Sequence, residues 1–274
     1  MSENSNFPSY FDELKENDRV LYDYIKNFFG YGNLGSQEEP TMWFVGQEEN
    51  GGECIDEFNE SLKMWDKVKI GNGETIDIKN YYKELEIKNS RFNYYTRFFN
   101  NDLDKIETPT KVWKQIINII LSFNGLTPDD DILKNYQIKD FGNIKGKMCS
   151  LQLLPLPAPS EYKIWKYGYY KKKCLEDPKE YIGHIKQYRI YKIKDMIYKN
   201  KPTFVIFYAW SSLSWKDIKC LLNTDDVKLD GNPIFGKLDG SHIVICYHPS
   251  NRKLGNKDEY FINIGKKLRE LISK

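Results

Sequence analysis

What the chain lacks narrows it first. Its 274 residues include only five cysteines and three histidines. Cys54, Cys149, Cys174, Cys220 and Cys246 are scattered, odd in number and never spaced as C-x-x-C. That pattern argues against a disulfide framework, a zinc ribbon or a cysteine-ligated iron–sulfur cluster. Cys149, Cys220 and Cys246 lie in apolar stretches and read as small core residues. None of the strand-like apolar runs is followed by G-x-G-x-x-G, so a dinucleotide site has no support, and neither metal nor cofactor is expected. There is no apolar run of the ~18 residues a spanning helix needs, and no basic-then-apolar leader. A soluble, cytoplasmic, monomeric protein without a membrane partner is the expectation. No repeat or low-complexity linker divides the sequence, and its length suits one domain.

What is present is a substantial core and an uneven charge. Hydrophobic residues make up 40% and aromatics 15%, enough to exclude wholesale disorder. The net charge is only +2, yet residues 1–60 carry fourteen acids and three bases, net −11, which leaves +13 on residues 61–274. Residues 163–201 alone hold twelve bases against four acids. Asymmetry of this kind is a clue to a polyanionic partner, although lysine-rich solvated helices have the same composition. Tyr162, Trp165, Tyr167, Tyr169, Tyr170 and Tyr181 interleave with these lysines. Rings that stack on bases beside lysines that meet phosphates suit single-stranded or distorted DNA, with Lys171 and Lys172 as contacts. An ordinary insertion with amphipathic tyrosines reads the same way.

Four segments have the pattern of buried strands: Thr41–Gly46, Met148–Leu154, Thr203–Tyr208 and His242–Tyr247. Helical periodicity covers Phe11–Phe29, a segment opened by Thr108-Pro109, and Ile185–Lys199, Ser214–Leu222 and Lys257–Ser273. Strands separated by helices predict an α/β fold, a three-layer α/β/α domain around a mostly parallel four-stranded sheet. Residues 1–40 read as an N-terminal helical extension and 160–201 as a basic aromatic insertion. Ligands of such folds bind beyond the carboxyl ends of the strands.

The strand ends carry the chemistry. The first leads into Gly46-Gln47-Glu48-Glu49-Asn50-Gly51-Gly52, which is either a solvated acidic turn or a carboxylate held against a substrate by a close-approaching backbone. The second leads into Gln152-Leu153-Leu154-Pro155-Leu156-Pro157-Ala158-Pro159-Ser160, stiffened by alternate prolines into a connector or a cleft wall. The last leads into His248-Pro249-Ser250-Asn251-Arg252-Lys253-Leu254-Gly255, whose His, polar donors and base suit an anion.

Taken in order, Gly46-Gln47-Glu48, Gln152-Leu153-Leu154-Pro155 and His248-Pro249-Ser250 resemble the uracil-DNA glycosylase superfamily. Arg252, Gly255 and Phe261 are similar to the residues that come after the last motif in its best-known branch. The resemblance implies an enzyme that flips a nucleotide out of DNA and hydrolyses its N-glycosidic bond. It places Glu48 at the water-activating position, His248 at the anion-stabilising one and Gln152 where the base edge is read. Gln47, Asn50 and a stacking ring, Phe58 or Trp65, complete the implied base pocket. Ser250 would hold a phosphate, Arg252 or Leu254 would fill the gap left by the flipped base, and Pro155, Pro157, Ser160 and Asn251 would meet DNA. Where the family has Pro-Tyr-His after the acid, this chain has Glu49-Asn50-Gly51, which removes bulk beside C5 of a pyrimidine. Glu48 and Gln152 each add a methylene, a change that alters discrimination by about 1–3 kcal/mol. The expected substrate is therefore either uracil or a C5-modified cytosine of phage DNA. A non-catalytic DNA-binding relative is the alternative.

Overall fold

A computed structural model describes residues 6–35, 41–47, 54–71, 73–85, 111–158, 165–208, 217, 221, 233–251 and 254–273. The strands are β1 (Gly30–Gly32), β2 (Met42–Gly46), β3 (Thr75–Ile76), β4 (Met148–Gln152), β5 (Phe204–Phe207), β6 (Ile234–Leu238) and β7 (Ser241–Ile245). They form one sheet in the order β3-β1-β4-β2-β5-β7-β6. Its centre, β4-β2-β5-β7, is parallel throughout and consists of the four segments anticipated from their apolar runs.

The sheet has seven strands rather than four, and it is mixed. β1 runs antiparallel to β4 and parallel to β3, while β6 closes the other edge antiparallel to β7. These three gave no apolar run to read. β1 is glycine–tyrosine–glycine, β3 has two residues, and β6 alternates between buried and exposed positions.

The helices are α1 (Asp12–Asn17), α2 (Arg19–Asn27), α3 (Ile55–Val68), α4 (Ile78–Glu84), α5 (Lys111–Phe123), α6 (Asp130–Lys139), α7 (Lys173–Glu176), α8 (Pro178–Asn200) and α9 (Lys257–Ile272). The single helix expected over Phe11–Phe29 is divided into a 3-10 turn (Ser9–Phe11), α1 and α2. Asp18 makes the break: its side chain accepts the Leu21 N–H and caps α2. Most of Ser214–Leu222, and Thr108-Pro109, lie outside the described residues.

Alternating side chains of the central strands feed two cores. Phe44, Met148, Ile206 and Val244 meet α2, α3, α5 and α9 on one face. Trp43, Val45, Leu151, Val205 and Ile243 meet Ile190, Ile193 and Ile197 of α8 on the other. Within residues 1–40, Phe11, Leu21 and Ile25 are buried and β1 joins the sheet. Within 160–201, α8 covers the second face.

A close backbone approach joins α5 and α9. A Cβ on Gly265 would lie 2.3 Å from the Ile119 carbonyl oxygen, so α5 and α9 touch backbone to side. Across their first turns, Gln115 Nε2 donates to Asp258 Oδ1 at 2.6 Å and Lys114 Nζ lies 2.9 Å from Asp258 Oδ2. Gly265→Ala should lower unfolding free energy by about 1–3 kcal/mol, as overpacked cores do. Gly183→Ala, on α8 with nothing within 4 Å, should stabilise by about 0.5–1 kcal/mol through helix propensity. Urea unfolding of both variants checks the opposite signs.

Candidate active site

Because β4, β2, β5 and β7 are parallel, their carboxyl ends open on one edge of the sheet. The register places Gly46 opposite Gln152. Tyr208 N–H donates to the Val45 carbonyl at 3.0 Å, and Cys246 N–H to that of Phe207 at 2.9 Å. By strand alternation, Gln152, Gly46, Tyr208 and Cys246 share the face of Phe44 and Ile206. The row ends at His248, two residues past Cys246.

Gly46 is the low point of this row. A Cβ there would come within 2.5 Å of the Tyr208 hydroxyl, so the tyrosine ring lies across the end of β2. The same ring stands 5.7 Å from the His248 ring, tilted by 44°. The first two motifs are tied together by backbone: Leu153 N–H donates to Gly46 O at 2.9 Å and Leu154 N–H to Gln47 O at 2.6 Å.

From behind, Arg189 of α8 holds the β4 end. Its Nη2 donates to the Gln152 carbonyl at 2.7 Å and its Nε to that of Leu153 at 3.1 Å. The guanidinium carbon sits 3.5 Å from the centre of the Phe29 ring, a cation–π contact. Burial pushes the Arg189 pKa down to about 10, which leaves it charged at neutral pH. Gln152 itself is 7% exposed, and its Oε1 has no hydrogen-bond partner among the described residues. An unsatisfied buried amide oxygen is a feature that asks for a ligand.

His248 opens a tight turn with Pro249 at its second position, where proline's fixed φ is favoured. The turn closes through Asn251 N–H to His248 O at 2.8 Å. Ser250 N–H donates to His248 Nδ1 at 3.1 Å, and Ser250 Oγ lies 2.6 Å from the same nitrogen. A backbone N–H can only donate, so Nδ1 carries the lone pair and the neutral ring is protonated at Nε2. Burial lowers the His248 pKa and the charge of Lys257 lowers it further, so the ring is neutral at pH 7. A neutral ring bearing Nε2–H can donate to a developing anion.

Other expected site residues fall elsewhere. Glu48, Asn50, Ser160 and Arg252 lie outside the described residues. Phe58 is 3% exposed and packs edge-on against Tyr167 and Tyr24. Trp65 is wholly buried, with its indole N–H on the Gly73 carbonyl, and so belongs to the core rather than to a base platform. Pro155 is buried, and Pro157 gives its carbonyl to the Tyr167 hydroxyl at 2.8 Å, so this run is an internal connector. Leu254 is half-buried and packs against the core.

The basic stretch also reads differently. Tyr167 and Tyr181 are buried, the Trp165 indole donates to the Leu175 carbonyl, and Tyr170 bonds Asn59. Tyr169, 73% exposed, and Tyr198, 44% exposed, are the exposed rings among the described tyrosines of this segment. Lys171 ends the 3-10 turn with a left-handed φ of 51° and is exposed, and Lys172 is half-buried. Tyr208 and Arg189 were not anticipated. The first looked like the end of a buried strand, and the second was hidden among surface lysines.

Compared with known proteins, the chain matches no protein-family model and no curated sequence.

Two measurements test this geometry. Arg189→Met should destabilise the fold by about 1–3 kcal/mol for each carbonyl left without a donor, read by chemical denaturation. An unchanged midpoint would remove the clamp. The His248 pKa is depressed, so its contribution to stability is complete above the unfolded value of about 6.5 and is lost as pH falls through the folded value. An NMR titration should give His248 a midpoint below 6.5, and Lys257→Gln should raise it. A wild-type midpoint at or above 6.5 would contradict the assignment.

Proposed function

We propose that the protein is a monofunctional DNA glycosylase of the uracil-DNA glycosylase type. On this reading it flips out a pyrimidine nucleotide and hydrolyses its N-glycosidic bond to leave an abasic site. The observation that carries the reading is the convergence, on one edge and one face of the sheet, of Gln152 with an unsatisfied Oε1 and His248 in its Nε2–H tautomer. Gly46, which Glu48 follows in sequence, ends the strand next to that of Gln152.

The chemistry follows from these residue types. Departure of a pyrimidine leaves positive charge on the sugar and negative charge on the base. His248 donates Nε2–H to the base oxygen where that negative charge collects. Preorganised donors of this kind are worth about 3–4 kcal/mol, because no solvent must reorganise as charge forms. Gln152 offers an amide to the pairing edge of the base. Glu48 stabilises the sugar cation and orients the attacking water. The ring of Tyr208, lying across Gly46 beside His248, forms a wall of the pocket. Glu49-Asn50-Gly51 has less side-chain bulk than the Pro-Tyr-His that the resemblance would place beside C5. That supports a C5-modified cytosine of phage DNA, and hence a defence role, over plain uracil.

The assay offers oligonucleotides containing uracil, a thymine mispair, hydroxymethylcytosine or its glucosylated form, and scores abasic sites by alkaline cleavage. Cleavage of a C5-modified substrate is expected, with His248→Ala slower by about 10²–10³-fold and Glu48→Gln also impaired. Cleavage of uracil alone would reject the defence role. Binding without cleavage of any substrate would make the protein a DNA-binding module.

A further inference from the structure

A second feature adjoins the His248 turn. Between the first turns of α5 and α9 lies a cleft of about 410 Å³, lined by Lys111, Lys114, Lys257, Ser250 and Asp258 among others. The single carboxylate is already committed. Asp258 takes the Lys114 ammonium at 2.9 Å and the Gln115 amide at 2.6 Å. Burial alone would raise its pKa, but these two hydrogen bonds and the charge of Lys114 hold it below the ordinary carboxylate value.

Lys111 and Lys257 pair with no carboxylate among the described residues. Each stands in the first turn of its helix, where the peptide dipoles oppose positive charge; α5 has no acidic residue there, whereas α9 has Asp258 and Glu259. Two ammonium groups without an ion-pair partner among the described residues therefore border one cavity, an arrangement that a bound anion relieves. The serine beside them is engaged elsewhere. Ser250 Oγ lies 2.6 Å from His248 Nδ1, whose lone pair faces it, so the hydroxyl proton points to the histidine. The donors left for an anion are the lysines.

We propose that this cleft is a phosphodiester subsite in which Lys111 and Lys257 hold a backbone phosphate of the DNA strand beside the His248 turn. This rests on the glycosylase reading above and changes the residue that grips phosphate from Ser250 to the two lysines. A phosphodiester has one negative charge and two free oxygens, one for each ammonium group. Holding it next to Pro249 and Ser250 anchors the strand one step from the histidine that meets the base.

Two measurements on the full chain test the subsite. The first is fluorescence anisotropy with a labelled DNA duplex over a series of salt concentrations. The Lys111→Gln/Lys257→Gln double variant should bind more weakly, with a log K against log salt slope shallower by about 0.9, the loss of one phosphate contact. Lys266→Gln, an exposed lysine further along α9, should leave the slope unchanged. Equal slopes for the wild type and the double variant, with unchanged thermal stability, would overturn the proposal. The second is an amide NMR titration with inorganic phosphate. Shifts at Ser250 and Lys257 in the wild type that vanish in the double variant support the anion site, and their absence from the wild type overturns it. Phosphate shifts in a chain that binds no DNA would overturn the glycosylase reading while the anion site stands.

Discussion

The site edge depends on a buried cation that has no carboxylate partner among the described residues. Arg189 reaches from α8 to the carbonyl oxygens of Gln152 and Leu153 and lays its guanidinium on Phe29. Ordinarily a parallel strand loses its ladder where its neighbours stop, and the next residues fray. Here the planar fork of an arginine continues the hydrogen bonding in a direction that the sheet cannot supply. Phe29 contributes twice, since its carbonyl also accepts the Gln152 N–H at 2.6 Å. The consequence is a Gln152 whose backbone is fixed from two sides while its amide oxygen has no partner among the described residues. Under the proposed function, that is what reading a bound base requires.

The opposite side of the edge uses the same economy of parts. Lys257 borders the anion cleft and also disfavours protonation of His248. Ser250 selects the histidine tautomer with its backbone and keeps its hydroxyl on the same nitrogen. The contact of Gly265 with Ile119 brings α5 to the turn, and without that close approach Lys111 and Lys257 would not share a cavity.

Legibility in the sequence followed burial. The four central strands were readable to within a few residues because a strand covered on both faces is an unbroken apolar run. β1 and β3 were unreadable because two or three residues are too few to carry a side-chain pattern. The helix break at Asp18 was missed because apolar spacing runs through it, and only the capping role of the side chain marks it. Within 163–201, composition treated every base as surface charge and every tyrosine as amphipathic. In the structure Arg189 is fully buried, and Tyr167 and Tyr181 belong to the core. The position of His248 at a strand end was visible, whereas its protonation state required the geometry of Ser250. The lysine cleft joins residues distant in sequence, and no local pattern announces it.

The strand order also has a history in time. β2 lies between β4 and β5, and β1 between β3 and β4, so strands made early pair only with strands made much later. During synthesis the first third of the chain has no partner for its central strand until Met148 and then Phe204 have emerged. His248 emerges later still. Such long-range closure is slow and leaves strand edges open to wrong partners while the ribosome works. The complete edge therefore cannot form before β7 has emerged to dock beside β5, late in synthesis.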